Sequence, residues 1–82
     1  MVEVVFTEEF KKIFYKIKDK ILKEKIIKQI EKLKQNPEAG KPMMHDRKGT
    51  RELYLKPFRL SYAYLINENK IYILDLYHKK KQ

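Results

Sequence analysis

The sequence has no cysteine, and only two glycines and three prolines in 82 residues. Without cysteine there is no disulfide to staple the fold and no thiolate chemistry. Neither a glycine loop that could cradle a phosphate, nor a G-x-S-x-G elbow, nor a Cys–His pair is present. No stretch approaches the roughly 20 apolar residues of a membrane span. The opening residues, Met1-Val2-Glu3-Val4-Val5-Phe6, lack the basic start and long apolar run of a signal peptide. With the lack of cysteine, this fits a cytoplasmic protein. Two histidines, His45 and His78, do not make a metal site by themselves.

Positive charge is what the chain has in excess. Twenty Lys/Arg against eleven Asp/Glu give a net charge of +9. Such a field favours polyanions: RNA, DNA, an acidic protein or an anionic membrane surface. A solvated, lysine-rich helical surface gives the same charge without any ligand. The length allows one domain, residues 1–82. A chain this short buries only roughly 60–65% of the surface its unfolded form exposes, so the core must be compact and a partner has stability to add.

Residues 2–6 are β-branched and aromatic and predict a short strand. Thr7 follows as a helix N-cap, with Glu8 and Glu9 in the first turn, where the helix dipole favours acids. Phe10, Ile13, Phe14 and Ile17 then mark one helical face. The pattern resets at Asp19, a second cap, and Ile21, Leu22, Ile26, Ile30 and Leu33 carry the next apolar stripe, with Ile27 at its border. Asn36-Pro37 ends that helix, because the residue before proline is pushed out of the helical region. A basic amphipathic helix can lie on a membrane, but two adjacent stripes more simply pack on a sheet.

Residues 37–50 hold both glycines, Gly40 and Gly49, and read as a loop. Beyond it the period changes to two. Leu53 and Leu55, then Leu60, Tyr62 and Tyr64, then Tyr72, Leu74 and Leu76 alternate with polar or smaller neighbours, and Asn67-Glu68-Asn69 supplies a hairpin turn. The expected fold is therefore α+β: an N-terminal strand, an αα-hairpin and a three-stranded antiparallel meander, with the helices on one sheet face and the first strand joined to the sheet.

If those apolar residues face the helices, the other face carries Glu52, Tyr54, Lys56, Arg59, Ser61, Asp75, Tyr77 and, if the strand runs on, Lys79. Arginine, lysine and tyrosine on one rigid face suit nucleic acid: cations hold phosphates and rings stack on unpaired bases. Arg59 stands out because a mid-strand backbone can aim its planar fork. A salt bridge to Asp75 across the sheet is the structural alternative for Arg59, and cross-strand packing is the alternative for Tyr54 and Tyr77. His45 and His78 are possible acids or bases near neutral pH, although a histidine at a strand end is more often structural.

In order and spacing, these residues resemble the RelE/ParE toxin superfamily, in its RelE-like branch, over nearly the whole chain. Asn36-Pro37, Gly40-Lys41-Pro42, the strand Pro57-Phe58-Arg59-Leu60-Ser61-Tyr62 and the segment from Ile71 through Tyr77, His78, Lys79 and Lys80 carry the likeness. The resemblance implies a toxin of a type II toxin–antitoxin pair: a metal-independent, ribosome-dependent mRNA endonuclease in which the RNA 2′-hydroxyl attacks the adjacent phosphate. It gives Arg59 the scissile phosphate. Lys79 or Lys80 would stabilise the leaving oxygen or the phosphate, with His78 and Tyr77 as further catalytic candidates. Arg47, Lys48, Arg51, Tyr54, Lys56 and Lys81 are its candidate RNA contacts. No cofactor is implied. The implied partners are the ribosome, mRNA and an acidic RelB-like antitoxin, assembled as a toxin–antitoxin heterotetramer. Where some members carry two lysines on the first meander strand, this chain has Glu52 and Tyr54. Tyr77, His78 or Tyr54 would stand in for a tyrosine that many members carry beyond the basic pair. The competing functions are a ParE-like gyrase poison and a non-catalytic, basic RNA- or DNA-binding module.

Overall fold

The computed structural model describes residues 2–43 and 49–78. His45, Arg47, Lys48, Lys79, Lys80 and Lys81 lie outside the described residues. In chain order come β1 (Glu3–Phe6), α1 (Glu8–Lys16), α2 (Lys20–Gln35), the short β2 (Lys41–Pro42), β3 (Thr50–Leu55), β4 (Phe58–Leu65) and β5 (Lys70–His78). The strands form one mixed sheet in the order β1-β5-β4-β3-β2, with β1 parallel to β5 and the other pairs antiparallel. This is the expected α+β arrangement of an αα-hairpin on a meander, with β2 added at the far edge.

The helix boundaries follow from the caps. Thr7 Oγ1 accepts from Phe10 N at 3.3 Å and donates to the Ile73 carbonyl at 2.7 Å, so one hydroxyl starts α1 and ties it to the central sheet. Asp19 Oδ1 accepts from the amides of Ile21 and Leu22 at 2.9 and 3.2 Å, satisfying two of the orphan donors at the start of α2. Asn36 caps the end of α2 ahead of Pro37. Phe10, Ile26, Ile30 and Leu33 are buried, and Ile13, Phe14, Ile17 and Leu22 pack beside them. Ile21 departs from its predicted stripe and is exposed. At about 100° per residue it sits a quarter-turn or more away from Leu22, Ile26, Ile30 and Leu33, which share one line down the helix.

The sheet departs from the sequence expectation at one point in β5. Ser61 pairs with Asp75 but Tyr62 pairs with Ile73, so Leu74 is an extra residue, a β-bulge. A bulge shifts the alternation by one. Before it, Ile71 and Ile73 point into the core, fully buried, while Tyr72 lies opposite Ala63 on the other face. After it, Leu76 opposite Leu60 is the core residue, as expected. The reading that placed Tyr72 and Leu74 beside Leu76 is thereby corrected. At the β4–β5 turn, residues 66–68 make one turn of 3-10 helix, and Asn69 takes the left-handed conformation (φ 55°) that asparagine tolerates.

Tyr62 is the largest fully buried side chain. Its hydroxyl accepts from Gly40 N and donates to the Pro37 carbonyl, both at 2.8 Å, pinning the α2–β2 connection onto β4. The approach leaves no room for a side chain at residue 40: a Cβ there would fall 2.5 Å from Tyr62 Oη and 2.7 Å from a ring carbon. Gly40→Ala should therefore destabilise the fold by about 1–3 kcal/mol in urea unfolding, because the tyrosine or the backbone has to shift. Tyr62→Phe should cost a similar ~1–3 kcal/mol by leaving the Gly40 amide unpaired.

The pH dependence has a definite sign. Burial raises the Tyr62 hydroxyl above its ordinary 10.0, partly offset by the Gly40 hydrogen bond and by Arg51. The unfolded chain then ionises first. The Tyr62 contribution is complete below pH 10 and is lost as pH rises through the higher folded value. Urea midpoints measured across that range should fall more steeply for wild type than for Tyr62→Phe.

Candidate nucleic-acid interface

Both helices pack on one face of the sheet, so residues of alternate parity on the central strands point to the other. The two-residue turn Lys56-Pro57 joins Leu55 to its partner Phe58 and so sets the whole β3–β4 register. Tyr54 lies opposite Arg59, and Arg59 lies opposite Tyr77 on the next strand. The result is a row across three strands, tyrosine–arginine–tyrosine, on the helix-free face. Tyr54 is exposed and Tyr77 is half-buried. In the adjacent row Ser61 stands between Glu52 and Asp75, and Lys41 of β2 continues beyond Glu52.

Arg59 is paired with Glu52, diagonally across the hairpin, not with Asp75. Arg59 Nη1 and Glu52 Oε1 are 3.1 Å apart. The Glu52 side chain is 5% exposed and that of Arg59 is 32% exposed, so the carboxylate lies beneath and the guanidinium is the part shown to solvent. Asp75 Oδ1 instead accepts from the amide of Leu76 at 2.8 Å. This partner was legible in the chain. A two-residue turn after Leu55 places Glu52 one diagonal step from Arg59, where long side chains still meet.

The other predicted site residues separate into two groups. Lys56 is exposed at the hairpin turn beside the row. Arg51 does not join it. Its neighbour in register is the buried Tyr62, and its Nη1 donates to the carbonyls of Gly40 and Glu38 at 2.8 and 3.1 Å, with Glu38 Oε2 3.5 Å from Nη2. Arg51 thus clamps the same connection that Tyr62 pins. His78 also parts from Arg59. It pairs with Phe58 on the helix side of the sheet, its ring edge-on to Phe58 at 5.6 Å between centroids and 77° between planes.

The charge is distributed differently from a uniformly basic sheet face. Among the described residues, Arg59 and Lys41 on the helix-free face are accompanied by Glu52 and Asp75. Ten of the twenty Lys/Arg fall between Lys11 and Lys34, on and between the helices. One of them, Lys11, lines an apolar groove where Phe6, Phe10, Phe14, Tyr15 and Ile27 meet, and Lys23 lies over the Phe14 ring, 5.1 Å from its centroid. No group of three or more potential metal ligands occurs among the described residues, and none of their helices is long and apolar enough to cross a membrane.

Two helices on one face of a five-stranded mixed sheet define the class: the fold of RelE-like toxins. One chain of the intact Escherichia coli RelBE toxin–antitoxin complex matches with a TM-score of 0.81 at 14% identity, over 95% of this chain and 96% of that one. The toxin–antitoxin complex RelBE2 from Mycobacterium tuberculosis matches at 0.82 with 24% identity, over 95% and 98%. A YoeB/ParE toxin from Agrobacterium tumefaciens matches at 0.82 with 19% identity, over 94% and 98%. No curated protein matches the chain. The model of the ParE toxin family of type II toxin–antitoxin systems, parDE, covers residues 4–82, and the chain belongs to that family, within the RelE/ParE toxin superfamily.

The division of labour between the two arginines is directly testable. Arg51→Ala should lower stability by about 1 kcal/mol, since a partly exposed guanidinium leaves two loop carbonyls. Amide shifts should move at residues 38–42 and stay unchanged in the Tyr54–Arg59–Tyr77 row.

Proposed function

We propose that the protein is the toxin of a type II pair acting as a ribosome-dependent mRNA endonuclease, and that its substrate chain lies across the helix-free face. The observation that carries this reading is the row in which Arg59 stands between Tyr54 and Tyr77 on three hydrogen-bonded strands. A rigid strand holds the guanidinium where a phosphate can meet it, and a tyrosine on each side offers a ring to a neighbouring unpaired base. In the reaction the 2′-hydroxyl oxygen forms a bond to phosphorus, its proton passes to a base, and the 5′-oxygen leaves with a proton. Arg59 stabilises the charge that builds on the phosphate oxygens. Lys79 and Lys80, which follow Tyr77 and His78, are the proposed cations for the leaving oxygen. Lys56 and Lys81, with Arg47 and Lys48, extend the phosphate contacts. His78, on the opposite side of the sheet, is given no role in proton transfer.

An acidic antitoxin belongs to the same reading, and a toxin–antitoxin heterotetramer is the proposed assembly. The apolar groove on the helix side, with exposed Phe6, Tyr15 and Ile27 and with Lys11 and Lys23 beside it, is the surface such a partner would cover.

A second reading has its own support. The matching family model is that of ParE, and the ion-paired Glu52 sits where some relatives hold a catalytic lysine. A gyrase poison of the same fold would need no RNA chemistry on this face. Primer extension separates the two, run on a translated mRNA and on the same mRNA with its start codon destroyed. The endonuclease reading expects cuts that require translation and that fall by about 10²–10³ in rate in Arg59→Ala, the scale of removing one charge-stabilising donor. Growth inhibition with a DNA-damage response and no cuts would transfer the assignment to gyrase.

A further inference from the structure

We propose that Glu52 is the positioning residue for Arg59: its buried carboxylate fixes the plane of the guanidinium between Tyr54 and Tyr77, so that Arg59 meets a phosphate with its fork already oriented. The inference rests on the reading of this face as an RNA site. Three observations carry it. The contact is a direct hydrogen bond, 3.1 Å from Arg59 Nη1 to Glu52 Oε1. The two side chains are layered, the carboxylate 5% exposed under a guanidinium that is 32% exposed. And Glu52 is held from both sides by the sheet, opposite Ser61 on β4 and Lys41 on β2, so it is a rigid anchor.

An arginine on a flexible stem binds phosphate bidentately only after its fork has been ordered. A carboxylate contact through Nη1 orders it beforehand and leaves binding with less to immobilise. The same carboxylate cancels much of the arginine's charge, so this row selects a ligand by direction and stacking more than by net field. Its burial also argues against Glu52 as the base for the 2′-hydroxyl, since a carboxylate 5% exposed does not present its lone pairs to an incoming ribose.

The test uses the full chain in five forms: wild type, Glu52→Gln, Glu52→Ala, Arg59→Ala and the double variant Glu52→Ala/Arg59→Ala. Two quantities are read, the NMR signals of the Arg59 guanidinium in the free protein and the affinity for a short single-stranded RNA oligonucleotide. Rotation about the guanidinium bonds should be slow in wild type and in Glu52→Gln, whose amide oxygen still accepts, and fast in Glu52→Ala. RNA affinity should fall about tenfold in Glu52→Ala, the scale of one hydrogen bond to a charged group. It should stay within about twofold in Glu52→Gln, and Glu52→Ala should add nothing once Arg59 is gone. Tighter binding in both Glu52 variants with a steeper salt slope would make Glu52 a mere neutraliser and overturn the proposal. So would an equal loss with and without Arg59, or guanidinium signals that ignore Glu52→Ala. If wild type does not bind the RNA, the functional reading fails, and the guanidinium signals still decide whether Glu52 orients Arg59.

Discussion

The register of β4 between its two neighbours is the constraint on which the rest depends. On one side the two-residue turn after Leu55 sets β3, and on the other the bulge at Leu74 sets β5. Between them they decide which residues of the central strands look toward the helices. Leu60 and Tyr62 go inward to the buried cluster with Ile26, Leu33, Ile71 and Ile73, while Arg59 and Ser61 go outward. Without the bulge, the register set by Tyr62 and Ile73 would run on, bringing Leu76 opposite Arg59 and turning Tyr77 toward the helices. One extra residue therefore places a tyrosine ring, and not a leucine, next to the arginine.

Much of this was readable in the chain. Thr7 and Asp19 declared both helix starts, Asn36-Pro37 the end of the second, and alternation over residues 53–66 the two middle strands. Arg59 was legible because it lies in a strand with regular period two on both sides. The interruptions were harder to read. Ile71, Tyr72, Ile73 and Leu74 are all apolar or aromatic, so period two fits either phase and nothing in the composition marks Leu74 as extra. Arg51 was misleading for a related reason. It lies one residue from Glu52 in a strand whose inner face reaches the edge of the core, and its guanidinium finds backbone carbonyls that a sequence does not display.

The positive charge also divides in a way that total counts conceal. The helix hairpin holds half of the basic residues and an apolar groove bordered by Lys11, while the row on the other side of the sheet is locally balanced by Glu52 and Asp75. Two surfaces of different character thus sit back to back: one offers attraction and apolar area, the other offers geometry. A partner that responds to charge and grease and a ligand that responds to oriented donors need not compete for the same atoms.

The sheet order has a consequence for when the protein exists at all. β1 is made first, yet its partner in the sheet is β5, the last strand described, which lies between β1 and β4. The amide of Thr7 bonds to the carbonyl of Ile73, and Glu3 to that of Asn69, so even the start of α1 is fastened to a strand made some sixty residues later. Contacts of such separation form late. Until β5 is available, the growing chain has a helical hairpin and part of a meander, but neither a closed core nor Tyr77, the third member of the row. The first strand and the first helix therefore wait on one of the latest strands for their place in the sheet, and the core closes only when the two meet.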